Sequence, residues 1–241
     1  MTNLEVLAVQ GNKLTTLPTA LWMSGLKALN IMPSIQHLNI SKNLISKLPP
    51  GVGEMHTLQH LNLSENRLNS LPKRLYQLDK LCHLDLSGNA LQGIPEGITG
   101  LQRIQVLLLH NNQLKELPPE FCFLRTLNVL NLSENQIENI SSNIRCLKDL
   151  RELNLSSNLL QGLPSYLAQM KSLKLIKLEG NPLTSPPKET CDGQQALPIG
   201  CYLSCELTWN GRFKHTTLEY FIPLLLINAT KTTHCAFNYS Q

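Results

Sequence analysis

The sequence predicts an α/β solenoid: a curved parallel β-sheet lines its concave face, and irregular or short helical turns form its convex face. Three observations predict it. Apolar residues recur in the pattern LxxLxLxxNxLxxLP from Leu4, Ile35, Leu58, Leu81, Ile104, Leu127, Leu150 and Leu173. From Ile35 onward each step is 23 residues, six times in succession. An Asn stands at one fixed place in every unit: Asn12, Asn43, Asn66, Asn89, Asn112, Asn135, Asn158 and Asn181. Self-similarity at such a period marks stacked coils, each of which has too little core to fold alone.

Each part of the unit has its own reason. The LxL stretch alternates apolar and polar, the period of a strand with one buried face. Returns on the same side force successive strands to run parallel. The Asn lies where the chain turns inward and offers both donor and acceptor to backbone left unpaired there, so the eight are expected to form a ladder along the solenoid. Pro18, Pro49, Pro72, Pro95, Pro118 and Pro164 share one convex position. Proline fixes φ there and removes a donor that an irregular return could not satisfy. The apolar residues that follow, Leu75, Ile98, Phe121, Ile144 and Leu167, are expected to seat a short turn against the core.

This pattern resembles the leucine-rich-repeat superfamily. The 23-residue unit with its Leu-Pro step is similar to the intracellular type found in Ras-pathway scaffolds and cell-polarity adaptors. The resemblance covers about residues 4–187 and implies protein binding through the concave sheet, with small GTPases and phosphatases among the partners of relatives. The solenoid is assigned to residues 1–187 and a capping segment to 188–206. Within that cap, Cys191, Gly193, Ala196, Ile199, Tyr202 and Leu203 resemble the closing helix of intracellular members. Residues 207–241 match no repeat and form an off-family tail.

The first step, from Leu4 to Ile35, is 31 residues rather than two full units. A partial unit beginning at Leu26, Leu29 and Ile31 stops at Met32-Pro33. The repeat is therefore expected to be irregular over 22–34, with a bulge or poor stacking. The chain also starts inside a repeat without a polar cap, which reads as a shortened form of a longer protein.

Residues that flank the buried strand leucines should face the concave side in columns. One column is Val6, His37, His60, His83, Val106, Val129, Glu152 and Leu175. The next is Ala8, Asn39, Asn62, Asp85, Leu108, Asn131, Asn154 and Lys177. A third is Gln10, Ser41, Ser64, Ser87, His110, Ser133, Ser156 and Glu179. His37, His60, Asn39, Asn62, His83, Asp85, Val106, Leu108, His110, Val129, Asn131, Glu152, Asn154 and Lys177 are the candidate partner-binding residues. Val106, Leu108 and Val129 read as an exposed apolar patch, of the kind that marks a contact site. Glu65, Asp85, Glu134 and Glu152 make the same face mildly acidic. Three imidazoles in a row are a metal or pH-sensing candidate. A flat ladder supplies tetrahedral zinc ligands poorly, however, so three solvated side chains at a frequently used position are the simpler reading.

Other classes find little support. The net charge is +4, with Lys and Arg spread along the sequence, too dispersed for a nucleic-acid footprint. The longest apolar run, Tyr220 to Ile227, contains Pro223 and falls short of a membrane span. Nothing at the N-terminus resembles a signal peptide. Seven Cys without regular spacing favour reduced thiols and a cytoplasmic setting. Cys191, Cys201, Cys205, His215, His234 and Cys235 make a poor zinc template. Sequons such as those at Asn62 and Asn154 arise from the repeat itself. No nucleophile elbow or Gly-rich phosphate loop is present. The expected function is that of a monomeric scaffold or adaptor in intracellular signalling, without catalytic residues, metal or cofactor. The alternatives are a regulatory subunit of a phosphatase or small-GTPase complex and, more weakly, an extracellular receptor-like binding domain.

Overall fold

A computed structural model describes residues 4–16, 34–162, 167 and 170–183. The regions 188–206 and 207–241 lie outside the described residues, as does nearly all of the irregular stretch 22–34.

Eight three-residue strands form one parallel sheet in chain order. They are β1 (Val6–Ala8), β2 (His37–Asn39), β3 (His60–Asn62), β4 (His83–Asp85), β5 (Val106–Leu108), β6 (Val129–Asn131), β7 (Glu152–Asn154) and β8 (Leu175–Lys177). The middle residue of each strand pairs with the middle residue of the next: Leu61 with Leu84, Leu84 with Leu107, and Leu107 with Leu130. This is the alignment demanded by the 23-residue step, because a slip of one residue would turn every leucine out to solvent.

β1 pairs directly with β2, Val6 opposite His37. β1 and β2 are thus direct neighbours in the sheet, while the irregularity expected over 22–34 falls outside the described residues except for Ser34. Their junction is also closed away from the sheet: Leu44 N–H donates to the Leu14 carbonyl at 2.8 Å, and the Ser34 hydroxyl donates to the Leu4 carbonyl at 2.8 Å.

Behind the sheet the chain returns through 3-10 turns at Pro50–Glu54, Lys73–Gln77, Glu96–Gly100, Pro119–Phe123 and Ser142–Cys146. Pro49, Pro72, Pro95 and Pro118 precede four of them with φ between −63° and −70°, the value the pyrrolidine ring imposes. Ser141 fills the slot before the fifth with φ −65°, and its hydroxyl accepts from the Asn143 N–H. A hydroxyl cap thus substitutes for the ring's conformational lock. Val52, Leu75, Ile98, Phe121 and Ile144 point from these turns into the core. The core itself is one continuous spine running from Ile35 to Leu178.

A second regularity was not visible in the consensus. The residue before each ladder Asn has a left-handed backbone: Gly11, Lys42, Glu65, Gly88, Asn111, Glu134, Ser157 and Gly180 all have φ between 52° and 72°. Only three of the eight are Gly, the residue that takes this conformation without steric cost. The reversal that aims the Asn inward is therefore imposed by stacking, and five coils carry the strain.

Candidate functional site

The sheet has one face against the spine and one open to solvent. The open face, predicted to be concave, carries the first two columns in register. Val6, His37, His60, His83, Val106, Val129, Glu152 and Leu175 are consecutive Cα partners across the eight strands. Ala8, Asn39, Asn62, Asp85, Leu108, Asn131, Asn154 and Lys177 form the parallel column beside them.

The third column departs from the sequence reading. Ser41, Ser64, Ser87 and Ser133 are buried instead of facing a partner. Their groups turn back on the second column. Ser64 N–H and hydroxyl both donate to Asn62 Oδ1, at 2.9 and 2.7 Å. The same clasp joins Ser87 to Asp85, Ser133 to Asn131 and Ser156 to Asn154. A backbone N–H can only donate, so the clasped amide atom is the oxygen. The Nδ2 groups of Asn62 and Asn154 are then left as donors and Asn131 Nδ2 lies against His110, whereas Asp85 keeps one carboxylate oxygen to accept. His110 alone in that column keeps an accessible polar ring, with Nδ1 3.3 Å from Asn131 Nδ2.

Val106, Leu108 and Val129 are half-buried rather than exposed. They line the centre of the face between a histidine row on one side and Glu152 and Lys177 on the other. The exposed large apolar side chains among the described residues are Val6, Phe123 and Leu159.

The three histidines stack. Ring centroids of His37 and His60 are 4.3 Å apart with planes 11° from parallel, and those of His60 and His83 are 5.6 Å apart. Burial lowers the His60 pKa below the ordinary imidazole value, and the neighbouring His37 and His83 lower it further. Parallel stacked rings do not converge their nitrogens on one point, and no group of three or more candidate metal ligands occurs among the described residues.

The Asn residues behind the face hold the coils together. Asn112 Nδ2 donates to the carbonyls of Leu109 and His110 in its own turn and to Leu86 in the preceding coil, at 3.0 to 3.2 Å. Its Oδ1 accepts from the Leu91 N–H of that preceding coil at 3.0 Å. Asn43, Asn66, Asn89, Asn135, Asn158 and Asn181 repeat the pattern. The ladder thus runs from side chain to backbone rather than from Asn to Asn. Among the described residues Asn12 bonds its own turn, through the carbonyls of Val9 and Gln10.

Comparison with known proteins agrees with this architecture. The family model described as "Leucine rich repeat" matches residues 33–91, 56–114 and 102–160. The chain is similar to the leucine-rich-repeat ectodomain of the plant membrane receptor kinase GASSHO1/SCHENGEN3 from Arabidopsis thaliana, solved in complex with CASPARIAN STRIP INTEGRITY FACTOR 2. The identity is 34%, the TM-score is 0.62, and the match covers 73% of this chain but 21% of the ectodomain. It is also 30% identical to a leucine-rich-repeat protein of Leptospira interrogans, with a TM-score of 0.46 over 78% of this chain and 64% of the other. No curated protein matches at a significant level. No helix among the described residues is long and apolar enough to cross a membrane. Domains of this fold are protein-interaction modules rather than catalysts, and by the matched residues, which span more than half its length, this chain belongs to the leucine-rich-repeat family.

Proposed function

We infer that the chain is an intracellular scaffold or adaptor that holds a partner protein on the open face of its sheet. One observation carries this reading: the first two strand columns stand in continuous register on the open face, while the repeated leucines, Asn and most of the serines are committed to the spine, the turns or the serine clasps. Such a face is preorganised, so docking costs little ordering entropy. Its half-buried centre at Val106, Leu108 and Val129, ringed by Asn donors and by His, Glu and Lys, has the apolar core and polar rim of a protein contact. The thiols of Cys82, Cys122 and Cys146 are unpaired, which supports a reducing cytoplasmic compartment. A small GTPase or a phosphatase fits the intracellular reading, and the protein would act as a monomer in a signalling complex. The plant ectodomain's complex with its factor lends support only at the level of the fold.

The test compares the wild-type chain with Leu108→Glu in cells, by proximity labelling and then by direct binding to each purified partner. The expected result is a folded variant that loses the partner. A partner that binds Leu108→Glu with wild-type affinity contradicts the assignment of the contact. Measuring the partner's turnover with and without the chain separates a passive scaffold from a regulatory subunit.

A further inference from the structure

The basic residues that look dispersed along the sequence are gathered by the 23-residue period. Arg125, Lys148 and Lys171 occupy one position in successive coils, at the turn that leads into the strands. Lys80 and Arg103 occupy the neighbouring position in two earlier coils. Arg151 and Lys174 stand two positions further on, immediately before β7 and β8. The Lys174 N–H donates to the Arg151 carbonyl at 2.7 Å, which places these two one strand spacing apart, about 4.8 Å. All seven side chains are exposed. The ion pairs among the described residues are Lys42–Glu65 and Arg74–Glu54, neither of which involves this ridge. Asp79 and Asp149 are the acidic residues interleaved with it. The opposite edge, where the chain leaves the strands, is mixed: Glu65, Glu116, Glu134, Glu138 and Glu179 lie among Lys13, Lys42, Lys47, Arg67 and Lys115. The described molecule is therefore basic along one side of its open face and close to neutral along the other.

We propose that this leading-edge ridge docks an acidic segment of the polypeptide that occupies the open face. The inference rests on that docking reading and adds the partner's chemistry. Exposed cations cost little to keep in water, and an aligned row of them raises the local concentration of an oppositely charged segment and fixes its register. Three of the seven are Arg, whose planar fork accommodates a carboxylate through two parallel hydrogen bonds. Phe123, 52% exposed and two residues before Arg125, adds an apolar anchor at the same edge. The occupant is a polypeptide on two grounds. Single-stranded nucleic acid is bound by interleaving several aromatic platforms with the cations, and the ridge holds none within its rows. Asp79 and Asp149 would repel a uniformly anionic polymer or bilayer, yet they suit a segment that carries occasional basic residues.

The experiment measures binding of a fluorescein-labelled glutamate-serine peptide to the full chain by anisotropy. It uses Arg125→Glu/Arg151→Glu/Lys174→Glu and a control with the same charge change on the other edge, Lys42→Glu/Lys47→Glu/Lys115→Glu. The expected result is a loss of at least about tenfold in affinity for the ridge variant and about twofold for the control, with wild-type affinity falling as salt rises. Arg125→Gln/Arg151→Gln should weaken binding in the same direction by less. Equal losses in the two triple variants, or no binding to the wild type, overturn the ridge. So does a single-stranded oligonucleotide or a phosphatidylserine vesicle that binds through the ridge more tightly than the peptide. Failure here, with Leu108→Glu still abolishing partner binding, rejects the ridge alone. Peptide binding that depends on the ridge, together with partner binding indifferent to Leu108→Glu, rejects the face alone.

Discussion

The fifth coil and the first coil have nearly the same sequence pattern and very different surroundings. Leu107 lies at the centre of β5 with no exposed surface, and the ladder Asn of its coil, Asn112, is 8% exposed and bonded to two coils. Leu7 holds the same place in β1 but is only half-buried, its neighbour Val6 is 58% exposed, and Asn12 is exposed and, among the described residues, bonded within its own turn. The same residues in the same local conformation are therefore worth different amounts. A coil borrows its stability from neighbours on both sides, and the repeat pattern fixes conformation without fixing energy.

This contrast can be broken most forcefully in the spine. Leu107→Ala should cost about 2–5 kcal/mol, because a closely packed site loses both transfer energy and packing. Leu7→Ala should cost about 1 kcal/mol or less, and urea melts of the two variants would show whether the gap exists. The turns come next. Asn112→Ala strips partners from buried backbone groups in two coils and should cost about 1–3 kcal/mol, whereas Asn12→Ala, with water already at hand, should stay within about 0.5 kcal/mol. Equal shifts in thermal midpoint for those two would remove the ladder's role between coils.

Smaller effects sharpen the picture. Glu134 holds a left-handed φ of 53°, so Glu134→Gly should relieve strain and raise stability by up to about 1 kcal/mol, offset in part by glycine's greater freedom when unfolded. Calorimetry of that variant beside Gly88→Ala, which should fall, checks the sign. The smallest expected effect is at the histidine row. His60 has a lowered pKa when folded, so the unfolded chain takes up its proton first as pH falls. Stability should decline as pH drops below the ordinary imidazole value and level off below the folded pKa. His60→Gln should flatten this part of the pH–stability curve, and an unchanged slope would show that the stacked rings carry no such cost.

How much of this was legible in the sequence follows the same division between pattern and surroundings. The register Leu61, Leu84, Leu107, Leu130 could be read because burial demands an apolar residue at every turn of the solenoid. The turn prolines could be read because the pyrrolidine ring locks the φ that this slot takes and recurs there at the repeat interval. The left-handed slot could not, although Gly11, Gly88 and Gly180 in one column were a usable signal; Lys42, Glu65 and Glu134 masked it, since a stacked coil tolerates strain that an isolated turn would refuse. The serine column misled because Ser suits both a solvent-facing site and a clasp on the Asx residue two positions earlier. On the open face, the strand pattern located the two columns but overstated the exposure of Val106, Leu108 and Val129, which depends on neighbouring side chains rather than on alternation. The basic ridge escaped notice because linear charge density averages over the 23-residue interval that the fold collapses to one strand spacing.

Amide hydrogen exchange on the intact chain tests most directly the claim that neighbours supply each coil's stability. Leu86 N–H donates to the Leu108 carbonyl and Leu109 N–H to Asn131, both deep in the array, while Val9 N–H donates to Asn39 and Gly11 N–H to Ser41 at its first junction, all at 2.8 to 3.0 Å. These hydrogen bonds are alike in length and differ only in the coils around them. The account predicts protection that climbs from Val9 and Gly11 to a maximum at Leu86 and Leu109. Uniform protection across the four amides would contradict it.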